Sequence, residues 1–406
     1  MTLVRLGHLT HWTFLGAACL LALGWLWQAL QWIRFGPTLP DLTRLPAASP
    51  QPAAGDQPQL TVIVPACNEQ ASIQTTLRSL LGSTGIRLQV IAVNDRSTDQ
   101  TGALIDSLAA DFASAASPHS LQVLHIAQLP PGWLGKPHAL ASAAALAQSD
   151  WLLFTDGDLV FAPQALSLAL GYAQADQTDH LILMPDWILK SFGERAMHGA
   201  MHALSCWTLH LWRVADPKAR DFLGVGAFNL LRRSTYEALG GFASLRMEVL
   251  EDVRLGWRLK RAGFRQRVVL GPGLAAVRWS QGAWGVVRNL EKNLFALYRF
   301  SVPVTLAACF GVALQIVLPL AALATAGPAR LAGLVTLAAI TAIYLASARV
   351  TRVPPAYVLV YPFAWALFLF AMLRSMTLAL VRGGVTWRGT LYPLAELRKS
   401  AGSHWN

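Results

Sequence analysis

The hydrophobic pattern divides the chain into three regions. Residues 12–33, WTFLGAACLLALGWLWQALQWI, are apolar and uncharged, and the run is long enough to cross a bilayer. Trp25, Trp27 and Trp32 crowd its C-terminal end, where an aromatic belt would lie. A signal peptide is the competing reading. The run is too long for one and no small-x-small cleavage site follows, which favours an uncleaved anchor. Residues 34–59 are rich in Pro, Ala and Gln and read as an extended linker. From residue 60, short apolar runs alternate with amphipathic ones. LTVIVPA (60–66), LQVIAVND (88–95), LQVLHIA (121–127) and WLLFTD (151–156) read as strands. EQASIQTTLRSLLGS (69–83), STDQTGALIDSLAADF (97–112) and KPHALASAAALAQS (136–149) read as helices, the second with Ser97 or Thr98 as N-cap. This alternation predicts an α/β domain with a largely parallel, doubly wound sheet.

Beyond residue 180 the order is less clean. HLILMPD (180–186) and GAFNLLRR (226–233) read as strands. Residues 190–214, 247–264 and 284–300 contain amphipathic helical patterns, the first carrying His198, His202 and His210. These histidines lie near helical spacing but lack Cys or acidic partners for zinc. With Trp207 and Trp212 they suit a helix lying on a membrane surface. Residues 302–326, 331–348 and 356–381 are again apolar, separated by Pro328, Pro354 and Pro355, and predict three more spans.

Composition supports a membrane part. Mean hydropathy is +0.41 and 14% of residues are charged, too apolar for an ordinary soluble enzyme. The net charge of +11 fits anionic lipid headgroups or a phosphorylated substrate. No Lys/Arg-dense run with interleaved aromatics points to nucleic acid. The four cysteines, Cys19, Cys67, Cys206 and Cys309, have no metal-ligand spacing and suggest no disulfide framework. Across residues 301–406 a single acid, Glu396, faces eight Lys or Arg, so the basic tail 382–406 reads as cytoplasmic. One N-terminal and three C-terminal spans would put it on the other side, and the topology stays open.

Ligands of doubly wound sheets bind at the carboxyl ends of strands. Those ends carry Asn68 and Glu69, then Asn94 and Asp95, then Asp156 and Asp158. Carboxylates there must be solvated, paired with a cation or bound to a metal. The plain alternatives are a polar turn bent at Gly157 and, for Asp95, a helix cap.

TVIVPACNEQASIQTTLRSLL, VIAVNDRSTDQT, GWLGKPHAL, LLFTDGDLVF and GGF…LEDVRLGWRLKRAGFR occur in the order seen in family 2 glycosyltransferases. The chain resembles that family over about residues 60–300. Its membrane-flanked layout resembles the ceramide-glucosyltransferase-like and hopanoid-associated members. The resemblance implies a GT-A fold, a nucleotide-diphospho-sugar transferase of Rossmann-like type, flanked by transmembrane helices. The expected organisation is an anchor at 1–33, a linker at 34–59, the transferase domain at 60–300, membrane helices at 301–381 and the tail at 382–406. It implies a nucleotide-sugar donor, most simply a UDP-hexose, and Mn2+ or Mg2+. The acceptor would be a lipid or polyprenyl phosphate, and the enzyme a multi-pass protein of the cell (inner) membrane with its catalytic domain in the cytoplasm. Asp158 would hold the metal, with Asp156 on the ribose or sharing the ion. Asp95 would meet the nucleotide, with Pro65, Ala66, Asn68 and Glu69 lining its pocket. Lys136 would neutralise donor phosphate, with a solvated loop lysine as the plain reading. Asp252 would be the general base, and one of Glu251 and Asp252 could instead serve the helix dipole. Ceramide-type and processive members also carry Q/R-x-x-R-W downstream. Here the region reads RWSQGAWGVVRNLEKN, and Gln281, Arg288 or Lys292 is left to replace it. The rival readings are a polysaccharide synthase and a catalytically silent membrane scaffold of the same fold.

Overall fold

The computed structural model describes residues 2–52, 55, 57–113 and 116–403. Residues 53, 54 and 56 of the expected linker, residues 404–406 of the expected tail and Met1 lie outside these. The chain forms two compact units that interleave along the sequence. One comprises residues 39–188, 211–279 and 383–406; the other comprises 1–38, 189–210 and 280–382. The span expected as one domain, 60–300, is therefore shared: residues 189–210 and 280–300 are grouped with the apolar helices.

The first unit is built on β1 (Leu60–Ala66), β2 (Leu88–Asp95), β3 (Ser120–Ile126), β4 (Trp151–Phe154), β5 (Leu159–Phe161), β6 (His180–Met184), β7 (Asp186–Trp187), β8 (Asn229–Arg232), β9 (Gln266–Leu270), β10 (Ala275–Val277), β11 (Gly384–Trp387) and β12 (Thr390–Pro393). Seven strands form one sheet in the order β3-β2-β1-β4-β8-β6-β9. Pairings are parallel except those of β8, which runs antiparallel to β4 and β6. The register of β1 on β2 runs from Leu60↔Leu88 to Ala66↔Asn94. Alternate residues of these strands feed opposite layers, as the two-residue period requires. Val62, Val64 and Val90 pack with Ile73, Leu77 and Leu80 of helix Ile73–Leu81 on one face. Ile63, Ile91 and Val93 pack with Leu140 of helix Gly135–Ala144 and with Leu255 and Leu259 of helix Glu251–Arg261 on the other. A sheet buried on both faces explains why β1 and β2 read as near-continuous apolar runs, broken by Thr61 and Gln89 and by the polar end of β2. β5, β10 and β7 form a small second sheet, and β11 and β12 a hairpin.

Two local expectations are corrected. The second helix begins at Thr101, not Ser97; the Asp99 carboxylate accepts from Thr101 N (2.9 Å) and Thr101 Oγ1 (2.5 Å) and so caps it. The segment after residue 38, expected as an extended linker, instead begins with a turn over 41–45 held at the sheet edge. Asp41 bridges Leu270 at the sheet edge, with Leu42 N donating to Leu270 O (2.9 Å) and Leu270 N to Pro40 O (2.8 Å).

Among the described residues, the second unit holds four helices long and apolar enough to cross a membrane: residues 11–38, 302–323, 328–351 and 355–381. Trp25, fully buried, stacks on Trp365 (centroids 5.5 Å apart) and meets Trp207 edge-on (5.2 Å). Gly24 makes that approach possible, since a Cβ there would run into the Trp207 ring. Helix Phe192–Ser205 starts with a capping box of Ser191 and Glu194. Glu194 also accepts from Gly282 N (2.7 Å), which ties this helix to helix Gly282–Leu290. His202 lies edge-on to Trp32 (4.8 Å), and His210 Nε2 is 3.3 Å from Gln28 Oε1.

Candidate active site

The carboxyl edge of the large sheet gathers the residues singled out from the sequence. β1 ends at Ala66, and Asn68 takes a left-handed conformation (φ 57°), which its short polar side chain tolerates. Its Oδ1 accepts from Thr98 N (2.8 Å), and its own N–H donates to Ser97 Oγ (3.1 Å). Asn68 therefore braces the loops after β1 and β2 against each other. Glu69 follows it, and burial raises its carboxyl pKa although the Arg388 guanidinium opposes this.

β2 ends at Asp95, which is 4% exposed. Arg96, also left-handed (φ 55°), grips both Asp95 oxygens, Nε to Oδ1 at 2.7 Å and an Nη to Oδ2 at 3.0 Å. This fork geometry is the strongest form of carboxylate pairing. Gly135 closes over the pair: a Cβ on it would lie 2.6 Å from Asp95 Oδ2.

Asp156 and Asp158 lie beyond the end of β4. Lys136, in the first turn of its helix, places Nζ 2.7 Å from Asp156 Oδ1 and 2.8 Å from Glu251 Oε1. Burial alone would lower the Lys136 pKa, but Asp156, Glu251 and Asp252 outweigh it and hold it well above the ordinary lysine value. The ammonium is thus committed to two carboxylates rather than projecting as a loop cation. Asp158 is pushed up to about 7, first by burial and then by the facing charges of Asp156 and Glu69.

Helix Glu251–Arg261 brings Glu251 and Asp252 to the same edge. Glu251 is 3% exposed and serves Lys136. Asp252 is oriented by the backbone: Gly226 N donates to Oδ2 (2.6 Å) and Val253 N to Oδ1 (2.8 Å). Burial, then the Glu251 carboxylate, push Asp252 up to about 6. The approach depends on missing side chains. A Cβ on Gly224 would collide with the Asp252 carbonyl and one on Gly256 with that of Leu223. One on Gly226 would sit 2.9 Å from Asp156 Oδ2, 3.0 Å from Lys136 Nζ and 3.3 Å from Asp252 Oδ2. Gly226 therefore marks the point where Asp156, Lys136 and Asp252 converge.

Sequence reasoning missed Arg96, Gly226, Arg388 and Tyr392. A Gly-x-Gly immediately before an apolar strand, GVGAFNLL, was the available signal for Gly226. The candidates Gln281, Arg288 and Lys292 lie in the helical unit, whereas the residues above belong to the sheet unit.

Residues 61–253 match the family model for glycosyl transferase family 2. The chain carries a family 2 glycosyltransferase domain. It is a glycosyltransferase of GT-A fold, and its four apolar helices flank that domain in sequence. Among solved structures, the mannosyltransferase PcManGT from Pyrobaculum calidifontis, in complex with GDP-Man and Mn2+, is 18% identical with a TM-score of 0.53, covering 89% of this chain and 97% of its own. Two structures of S. aureus TarS are 14% and 12% identical with TM-scores of 0.37 and 0.38; the matches cover 70% and 81% of this chain and 43% and 93% of theirs. No curated protein matches the glycosyltransferase by sequence. The likeness to PcManGT speaks to the fold. The site's chemistry rests on the geometry above.

Among the described residues no three His, Cys, Asp or Glu side chains form a metal-chelating group. The donor set that exists is hard carboxylate oxygen, with Asp158 strained by like charge from Asp156 and Glu69. That suits Mn2+ or Mg2+, which take one or two protein carboxylates and complete their shell with phosphate and water.

Proposed function

We propose that this glycosyltransferase is a membrane-bound, inverting enzyme that moves a hexose from a nucleoside-diphosphate sugar to the hydroxyl or phosphate oxygen of a lipid acceptor. The observation that carries the reading is the convergence of Asp156, Lys136 and Asp252 on Gly226 at the sheet's carboxyl edge. Asp252 is the general base. A carboxylate with its pKa near 6 is matched to proton abstraction close to neutral pH. It accepts the proton from the acceptor hydroxyl as that oxygen bonds to the anomeric carbon. The bond from that carbon to the β-phosphate oxygen breaks, and the nucleoside diphosphate leaves with inversion in one displacement. Backbone N–H groups of Gly226 and Val253 hold the base in place. Lys136 holds Asp156 and Glu251 in place through its two ion pairs, which leaves Asp156 to receive the ribose. Asp158, with Asp156, would hold the divalent cation, which when bound supplies positive charge against the leaving diphosphate. The PcManGT complex with GDP-Man and Mn2+ supports the donor class and the ion without choosing a sugar for this chain. The amphipathic helices Phe192–Ser205 and Gly282–Leu290 and the four apolar helices suit an acceptor resident in the bilayer, with the catalytic unit on the cytoplasmic face.

The test is donor cleavage by the detergent-purified full chain against a panel of UDP- and GDP-sugars, with and without Mn2+ or Mg2+. Metal-dependent release from one donor is expected, abolished in Asp158→Ala, with transfer to a lipid extract lost in Asp252→Asn. Absence of both cleavage and nucleotide binding in the wild type would refute the reading and favour a silent scaffold.

A further inference from the structure

Three cations stand among the carboxylates of the site, and they are held differently. Lys136 is shared by Asp156 and Glu251. Arg96 is locked on Asp95 through two hydrogen bonds. Arg388 comes from the far end of the chain, where β11 and β12 pair from Gly384↔Pro393 to Trp387↔Thr390. The two residues between, Arg388 and Gly389, have φ of 48° and 81°. Positive φ at both positions is the geometry of a tight hairpin turn that ordinarily selects Asn-Gly. An arginine at the first is disfavoured in a left-handed conformation. The turn thus holds a residue that its backbone does not favour.

That side chain reaches Glu69, to which its guanidinium is ion-paired, and the Asn68 carbonyl (3.5 Å). Four residues further along the hairpin, Tyr392 is 6% exposed. Its hydroxyl accepts from Gly135 N (3.2 Å), beside Lys136, and shares a hydrogen bond with Arg96. The hairpin is therefore seated on the loops after β1 and β2 and on the start of the lysine-bearing helix. Glu69, its charged contact, lies within the field of Asp156 and Asp158. Arg388 remains 45% exposed on its side chain and has one carboxylate partner where Lys136 has two. Among these three cations it is the one free to change partner.

We propose that Arg388 is a donor-binding residue that transfers its guanidinium from Glu69 to the diphosphate when the nucleotide enters, with Tyr392 anchoring the hairpin that delivers it. This rests on the nucleoside-diphosphate donor proposed above. A diphosphate held against Asp156 and Asp158 adds negative charge next to Glu69, and a planar guanidinium matches phosphate oxygens in pairs. The cation comes from a segment that the sequence places in a basic tail.

The experiment is calorimetric titration of the full chain in detergent with Mn2+ present. The probes are UDP and GDP, with uridine and guanosine as phosphate-free controls. The variants are Arg388→Asn, which suits the turn and removes the charge, and Arg388→Lys, which keeps the charge without the fork. Arg388→Asn is expected to weaken nucleoside diphosphate binding about 10- to 100-fold and to leave nucleoside binding unchanged, with Arg388→Lys between it and wild type. Unchanged or tighter diphosphate binding in Arg388→Asn would overturn the proposal, because Arg388 would then only occupy the pocket. Equal loss of nucleoside binding would overturn it too, by making the hairpin a structural prop. A wild type that binds neither diphosphate would instead sink the donor reading itself.

Discussion

Lys136→Met removes the charge between Asp156 and Glu251 while keeping the bulk of the side chain. The two partners respond differently. Asp156 is 39% exposed on its side chain, so water screens it and its pair contributes little. Glu251 is 4% exposed on its side chain, and a buried carboxylate stripped of its cation costs about 3–5 kcal/mol. Taking the lower end, about 3 kcal/mol, and about 2–4 °C per kcal/mol for a unit of this size, the melting temperature should fall by about 6–12 °C. Adding Glu251→Gln removes the unpaired charge and should restore most of that loss, giving a coupling of about 2 kcal/mol in the double-mutant cycle. The assay is thermal unfolding of the four proteins in one detergent at one pH. Additive effects, or a Lys136→Met loss below about 1 kcal/mol, would refute a structural lysine. If that small loss came with weakened nucleoside diphosphate binding, Lys136 would be a phosphate ligand instead.

Gly226→Ala should lower the transfer rate about 100-fold with little change in melting temperature, since it displaces the base and its neighbours by a fraction of an ångström to an ångström; an unchanged rate would show that the site tolerates a methyl group where the three side chains meet. His180 is fully buried, its Nε2 donating to Asn229 Oδ1 (3.0 Å) and its Nδ1 accepting from Gln266 Nε2 (3.2 Å), and burial lowers its pKa to about 4. The unfolded chain takes up a proton near pH 6.5 and the folded one does not, so this residue makes stability fall as pH drops from about 6.5 to about 4, by about 3 kcal/mol in total. His180→Gln should flatten that part of the pH–melting curve; parallel wild-type and variant curves would disprove it.

β1 and β2 are legible to the residue because strands covered on both faces are largely apolar, and their short length and β-branched content separate them from a buried helix. β5, β7 and β10 are two or three residues long, too short to carry a period. Helix starts moved by several residues where a side chain, Asp99 for one, competes with the backbone for the first N–H groups. The acidic strand ends were visible because each lies beside its strand in sequence. Their partners were not. The Lys136–Glu251 and Arg388–Glu69 pairs join segments that only the tertiary fold brings together. The hairpin escaped notice because Arg-Gly is a weak turn signal where Asn-Gly is a strong one.

The interleaving of the two units bears on how the protein is made. The ribosome delivers the first apolar helix, then β1 to β7, then helix Phe192–Ser205, then β8 to β10, then the other three apolar helices, and only then the hairpin with Arg388 and Tyr392. The proposed donor site would therefore be completed only by a segment that emerges after the four apolar helices of the described residues have been synthesised. A nascent chain stalled before that point would carry Asp95, Asp156, Asp158 and Asp252 without the hairpin's arginine. Expression strategies that excise the catalytic part as one continuous fragment would lose that arginine and retain an amphipathic helix separated from its companions. Coexpression of fragments, or circular permutation that joins the hairpin to residue 39, is the rational route to a soluble form.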